Sequence, residues 1–145
     1  MRKIVLLCAV IAAAALTATA GAASTPATIS LHRTSKGMIL VNGKGFTLYA
    51  FTKDGKNKDA CVKIGGCTTV WPPVTTTGTP QAGSGVKSSL LGTIAYKGNL
   101  KQVTYDGLPL YAFSDDSGPA STEYIDQSQF GGRWPAVSAA GKVVG

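Results

Sequence analysis

Two aspartates occupy the same place in a repeated hexapeptide. Tyr49-Ala50-Phe51-Thr52-Lys53-Asp54 returns sixty-two residues later as Tyr111-Ala112-Phe113-Ser114-Asp115-Asp116. Carboxylates duplicated in this way could face each other across a two-fold axis. Facing carboxylates bind a hard cation or take part in acid–base chemistry. Asp54 and Asp116 are therefore the candidate metal ligands, with a divalent cation as the one cofactor the residues suggest. The competing use is local. An Asp three residues beyond a strand commonly accepts backbone amides of a turn, and Gly55 and Gly118 stand close by. The turn reading is preferred, and no cofactor is expected on it.

The aromatic residues carry the same ambiguity. Tyr49, Phe51, Tyr111 and Phe113 could make a platform for a ring-shaped ligand. Alternating aromatics are more often core, and core is preferred. Trp71-Pro72-Pro73-Val74 recurs at an offset of sixty-three as Trp134-Pro135-Ala136-Val137. Trp71 and Trp134 either line a groove or pin a proline-stiffened segment onto a sheet; the second is favoured.

Cys8 falls in an apolar leader, which leaves Cys61 and Cys67 as a pair. A close pair in an oxidising compartment reads as a disulfide, with Gly65 and Gly66 easing closure. Loop-entropy reasoning credits so short a loop with roughly 2 kcal/mol. Zinc fits poorly, because His32 is the only histidine. His32 stands far in sequence from any carboxylate cluster, and nothing supports a Ser-His-Asp arrangement built on it. The chain has no G-x-S-x-G, no phosphate-binding loop and no dinucleotide fingerprint. No enzyme is expected.

Arg2 and Lys3 precede an apolar run from Ile4 to Leu16, then small-x-small sites near Ala18 to Ala22. That is a secretory signal peptide over 1–23. The run falls short of the roughly 20 apolar residues a membrane span needs. Cleavage takes the formal charge from +7 to +5. The lysines are scattered, so no nucleic-acid arm is read. A mildly basic exported surface suits anionic cell-envelope polymers, or serves solubility alone.

The elements that must position these residues are short strands. Residues 24–35 read as a tail or a first edge strand, 36–74 as repeat 1, 75–90 as a linker and 91–145 as repeat 2. Met38 to Val41, then Asn42-Gly43, then Phe46 to Phe51 predicts a hairpin with a tight Asn-Gly turn. Lys101 to Tyr105, Asp106-Gly107 and Leu108 to Phe113 predict the same again, with Pro109 placing its strand at an edge or a bulge. Period-two reading puts Phe46, Leu48 and Ala50 on one face and Thr47, Tyr49 and Phe51 on the other. Both faces are mostly apolar, so the strands are buried on two sides, and the two aromatic faces pack together about a pseudo-two-fold axis. Lys58 to Val70 has room for one or two helical turns. Ser117 to Gly132 is a polar insertion holding Tyr124 and Phe130. The fold class is mainly β: two pseudo-symmetric, hairpin-based repeats in one small domain.

These motifs, in fixed order, resemble a bacterial secreted-repeat family of predicted lipoproteins with a Yx(F/W/Y)xxD motif. The matching text is Gly45 to Phe51 with Asp54, Cys61 and Cys67, Trp71-Pro72-Pro73, Leu91 to Ile94, Lys101 to Tyr111 and Asp116. The resemblance implies export and a duplicated β-rich domain, and it carries over no established activity. One departure stands out. Cys8 lies inside the apolar run, with Leu7 where a lipid-attachment site wants a small residue. That argues against a lipid anchor and for free secretion. The function expected is a secreted, non-catalytic binding or structural protein of the cell envelope or extracellular space. The alternative is an extracytoplasmic metal-, haem- or redox-associated binding protein using the repeat carboxylates and aromatics. An envelope hydrolase is a third, less supported option.

Overall fold

The computed structural model describes residues 25–145. The leader, Cys8 and the question of lipid attachment lie outside the described residues. The chain is built from short strands: β1 (Thr28–Thr34), β2 (Gly37–Asn42), β3 (Thr75–Thr76), β4 (Gln81–Ala82), β5 (Leu91–Ala95), β6 (Lys101–Tyr105), β7 (Leu108–Pro109), β8 (Gln127–Gln129), β9 (Gly132–Trp134), β10 (Ala136–Val137) and β11 (Val143–Val144). Helix is confined to α1 (Cys67–Val70) and two 3-10 turns at Cys61–Lys63 and Ser88–Leu90. Among the described residues, no helix is long and apolar enough to cross a membrane.

The segment read as a tail or edge strand is neither. β1 lies between β2 and β4, antiparallel to the first and parallel to the second. Ile29 supplies the reason, since its side chain is fully buried in the aliphatic core. The stretch read as a linker is also built into the fold. β3 pairs with β6 and β4 with β1. Thr76 is buried; its hydroxyl donates to the Gly78 carbonyl and accepts the Ala27 amide. A Thr/Gly/Pro-rich composition gives no sign of such long-range bonds.

The two hairpins turn by different means. In the second, Asp106 and Gly107 both take positive φ, at 50° and 79°, as a tight two-residue turn requires. In the first, the Asn42 side chain does the work. Its Oδ1 accepts the amides of Lys44 and Phe46 at 2.9 and 3.0 Å. Gly45, not Gly43, takes the positive φ, at 86°. The tight Asn-Gly turn expected from sequence is thus replaced by a wider one, because an Asn side chain can stand in for a backbone carbonyl.

Beyond the turns the chain touches its neighbours through isolated bridges rather than a continuous ladder: Val41 with Thr47, and Tyr49 with both Tyr111 and Ala136. The alternation of faces still holds. Leu48, Ala50 and Leu110 enter an aliphatic core with Ile29, Leu40, Val103, Tyr105 and Val137. Tyr49, Phe51, Tyr111 and Phe113 enter a second, aromatic core with Trp71, Trp134 and both cysteines. The motif strands therefore form the wall between two cores. The fold is mainly β, in small hairpin-like sheets.

Candidate functional site

The two copies of the motif meet at their tyrosines. The Tyr49 amide donates to the Tyr111 carbonyl at 2.8 Å, and the Tyr111 amide donates to the Tyr49 carbonyl at 2.9 Å. A local two-fold axis passes between them. The bonds on either side obey it. The Ala50 amide reaches the Pro135 carbonyl, and the Ala112 amide reaches the Pro72 carbonyl, each at 2.9 Å. Thr52 donates to the Arg133 carbonyl and Ser114 to that of Val70. Each motif strand is therefore hydrogen-bonded to the Trp-Pro segment of the other repeat. Proline suits this role, because it offers a carbonyl and no amide.

The side chains are exchanged in the same way. Phe51 of repeat 1 stacks on Trp134 of repeat 2 at 4.1 Å and 8°. Phe113 of repeat 2 lies on Trp71 of repeat 1 at 4.3 Å and 32°. The two indoles stack on each other at 4.2 Å and 2°. The result is a four-ring column, Phe51-Trp134-Trp71-Phe113, with Tyr124 added beyond Phe113 at 4.5 Å. Tyr49 and Tyr111 meet Trp71 and Trp134 edge-on, each at 5.1 Å. Edge-on and stacked contacts both suit the ring quadrupole and contribute roughly 0.5–1.5 kcal/mol each beyond area burial.

Gln129 serves both indoles. Its side-chain oxygen accepts Trp71 Nε1 at 2.7 Å, and its backbone carbonyl accepts Trp134 Nε1 at 3.3 Å. Thr47, fully buried, donates from Oγ1 to the Ser121 carbonyl at 2.6 Å and ties the first hairpin to the insertion of repeat 2. Sequence reasoning missed both residues. Nothing in a polar insertion marks one glutamine as the partner of two tryptophans.

The carboxylates complete the exchange. Tyr111 Oη donates to Asp54 Oδ2 at 2.8 Å. Tyr49 Oη lies 3.1 Å from both oxygens of Asp116. Asp54 Oδ1 also accepts the Ala60 amide at 2.7 Å. The preferred turn reading thus accounts for half of Asp54, while the other half, and the side-chain bonding of Asp116, go to the tyrosine of the opposite repeat. Burial pushes the Asp54 carboxyl up to about 6, against the bonds from Ala60 and Tyr111 that lower it. Burial likewise pushes Asp116 up to about 6, against the bond from Tyr49 that lowers it. Both tyrosine hydroxyls are held well above their ordinary range, first by burial and then by the adjacent carboxylate charge. At neutral pH each pair is a neutral phenol bonded to a carboxylate, an arrangement that holds position and keeps its proton on the tyrosine.

The other sequence-predicted residues fall as follows. Cys61 and Cys67 form a disulfide with a Cα–Cα separation of 5.4 Å, both fully buried against the aromatic core. Tyr49, Tyr111, Trp71 and Trp134 are fully buried, and Phe51 and Phe113 nearly so; they are brought together as core. His32 is exposed on β1. Asp54 and Asp116 have no hydrogen-bond partner in common. Among the described residues, no group of three or more His, Cys, Asp or Glu side chains is placed to hold a metal ion.

The family model described as a secreted repeat of unknown function matches the chain twice, over residues 30–75 and 93–138. No curated protein and no solved structure shows significant similarity to the chain. The two matched stretches cover more than half of the sequence, and each contains one copy of the interlocked motif. The chain belongs to the secreted-repeat family.

Proposed function

We propose that the chain is a secreted, non-catalytic binding or structural protein, whose repeated motif builds the scaffold and whose basic exterior meets the partner. One observation carries this reading: each motif tyrosine is bonded to the motif aspartate of the other repeat. The groups best suited to chemistry are thereby committed to holding the repeats together. The disulfide fits a compartment outside the cytoplasm. Free secretion, rather than lipid attachment, is part of the proposal.

What is left for binding is the surface, and its charge is unevenly spread along the chain. From Ala60 to Tyr105 the chain has Lys63, Lys87, Lys97 and Lys101 and no acidic residue. All four lysines are exposed. Such a surface draws anionic partners, weakly at high salt. The test is co-sedimentation of the mature protein with isolated cell-envelope material at low and high salt. Retention should be lost at high salt and on replacing the four lysines with Gln. Retention indifferent to both changes would contradict the reading.

A further inference from the structure

We propose that the outer edge of β5 is a docking site for an extended acidic peptide, which adds to the sheet as a further strand; this rests on the basic-surface reading above. β5 is the terminal strand of its sheet, paired with β6 alone among the described residues. The direction of its backbone groups follows from β6. The Val103 amide donates to the Val74 carbonyl, and the Val103 carbonyl accepts the Leu110 amide. Val103 therefore spends both groups away from β5, which makes its pair with Thr93 the non-hydrogen-bonded kind. The ladder to β6 runs through Gly92 and Ile94, opposite Thr104 and Gln102. Thr93 and Ala95 then point their amides and carbonyls outward along the edge, and Leu91 its carbonyl alone, because the Leu91 amide donates to the Ser88 carbonyl.

An edge of this kind is normally blunted by charge, proline or a bulge. From Leu90 to Tyr96 the sequence has none of the charges or prolines that do so. The charges stand at its flanks instead. A hollow of about 340 Å³ beside Leu91 to Thr93 is lined by Lys101. A second, of about 390 Å³ beside Ile94 to Tyr96, is lined by Lys97. Asp59 also lines the second hollow and offsets Lys97 there, beside the apolar Val62, Ile94 and Tyr96. Opposed residues of the β5–β6 pair share a face, so Lys101 stands with Thr93 on one face and Ile94 with Gln102 on the other. The edge thus offers main-chain pairing between a basic hollow on one face and a mostly apolar one on the other. A strand-forming peptide that alternates acidic and apolar residues matches both features.

The probe is a soluble octapeptide alternating Glu and Val, added to the mature protein, with inorganic polyphosphate as the non-peptide anion. Amide hydrogen exchange should slow at Thr93 and Ala95 when the peptide binds. Thr93→Pro removes the central outward amide and leaves the β6 ladder intact; it should weaken peptide binding at least tenfold. Lys101→Gln should weaken it by a similar factor. If Lys101→Gln matters but Thr93→Pro does not, and polyphosphate competes equally, the surface binds polyanions diffusely and the edge proposal is wrong while the basic-surface reading stands. If neither anion binds, both fall. If the two amides become protected with protein concentration alone, the occupant is a second copy of the chain and the peptide proposal is overturned. Should Thr93→Pro fail to fold, exchange in the unmutated protein decides: unchanged rates at those amides under saturating peptide refute the site.

Discussion

Tyr111 of the second repeat donates its hydroxyl to Asp54 of the first, at 2.8 Å, and Tyr49 returns the bond to Asp116. A motif read along the chain as Tyr-x-Phe-x-x-Asp is therefore not a unit in space. Each half of it is completed by the other copy. The same holds for the Phe51–Trp134 and Phe113–Trp71 contacts and for the backbone bonds to Pro135 and Pro72. The pattern makes specific demands on stability.

Neither repeat should fold alone. A fragment ending near Gly78 retains Trp71 and Phe51 but loses Trp134 and Phe113, the rings that cover them. It should melt without cooperativity, as circular dichroism would record. In the intact chain Phe51→Ala should cost about 3–5 kcal/mol, the usual cost of truncating a buried aromatic side chain.

Gln129→Leu should destabilise by about 1–3 kcal/mol. It removes the acceptor of Trp71 Nε1 and leaves a buried donor unpaired. The backbone carbonyl that serves Trp134 is untouched, so indole hydrogen-exchange rates should rise more for Trp71 than for Trp134.

Stability should depend on pH through the two aspartates, and the sign is fixed. Burial raises both carboxyls to about 6 from an ordinary value of 3.8, so the folded protein binds protons more tightly than the unfolded chain. Their contribution is complete below about pH 3.8 and is lost as pH rises through about 6. The groups are only partly buried, and solvent screening reduces the effect to roughly 1–2 kcal/mol each. Unfolding midpoints should fall between pH 4 and 6.5. Asp54→Asn and Asp116→Asn should each flatten that slope, and a slope unchanged by both would rule the assignment out.

Thiol labelling of the non-reduced mature protein should find no reactive cysteine, because Cys61 and Cys67 are joined and buried. Reduction should lower stability by roughly 2 kcal/mol, the loop-entropy value for so short a ring.

Much of this arrangement was legible in residue order. The duplicated hexapeptide gave the pseudo-symmetry, period two gave the two faces at Leu48/Ala50 and Tyr49/Phe51, and Cys61 and Cys67 gave the disulfide. What could not be read was connectivity between distant residues. Asp54 has a local amide at Ala60, but its tyrosine lies in the other copy, and spacing does not say which copy supplies a partner. Gln129 and Thr47 look like ordinary polar residues until the tryptophans and Ser121 arrive from elsewhere. β1 and β3 were hidden because their Thr- and Ser-rich sequences resemble loops, while Ile29 and Thr76 are held by contacts far along the chain.

The exchange of partners is tested most directly by double-mutant cycles on the tyrosines and aspartates. Tyr111→Phe combined with Asp54→Asn, and Tyr49→Phe combined with Asp116→Asn, should show coupling of about 0.5–3 kcal/mol in chemical denaturation. Tyr49→Phe with Asp54→Asn, and Tyr111→Phe with Asp116→Asn, join residues of one hexapeptide and should be additive within about 0.5 kcal/mol. Coupling within each hexapeptide, with additivity between the repeats, would contradict the account.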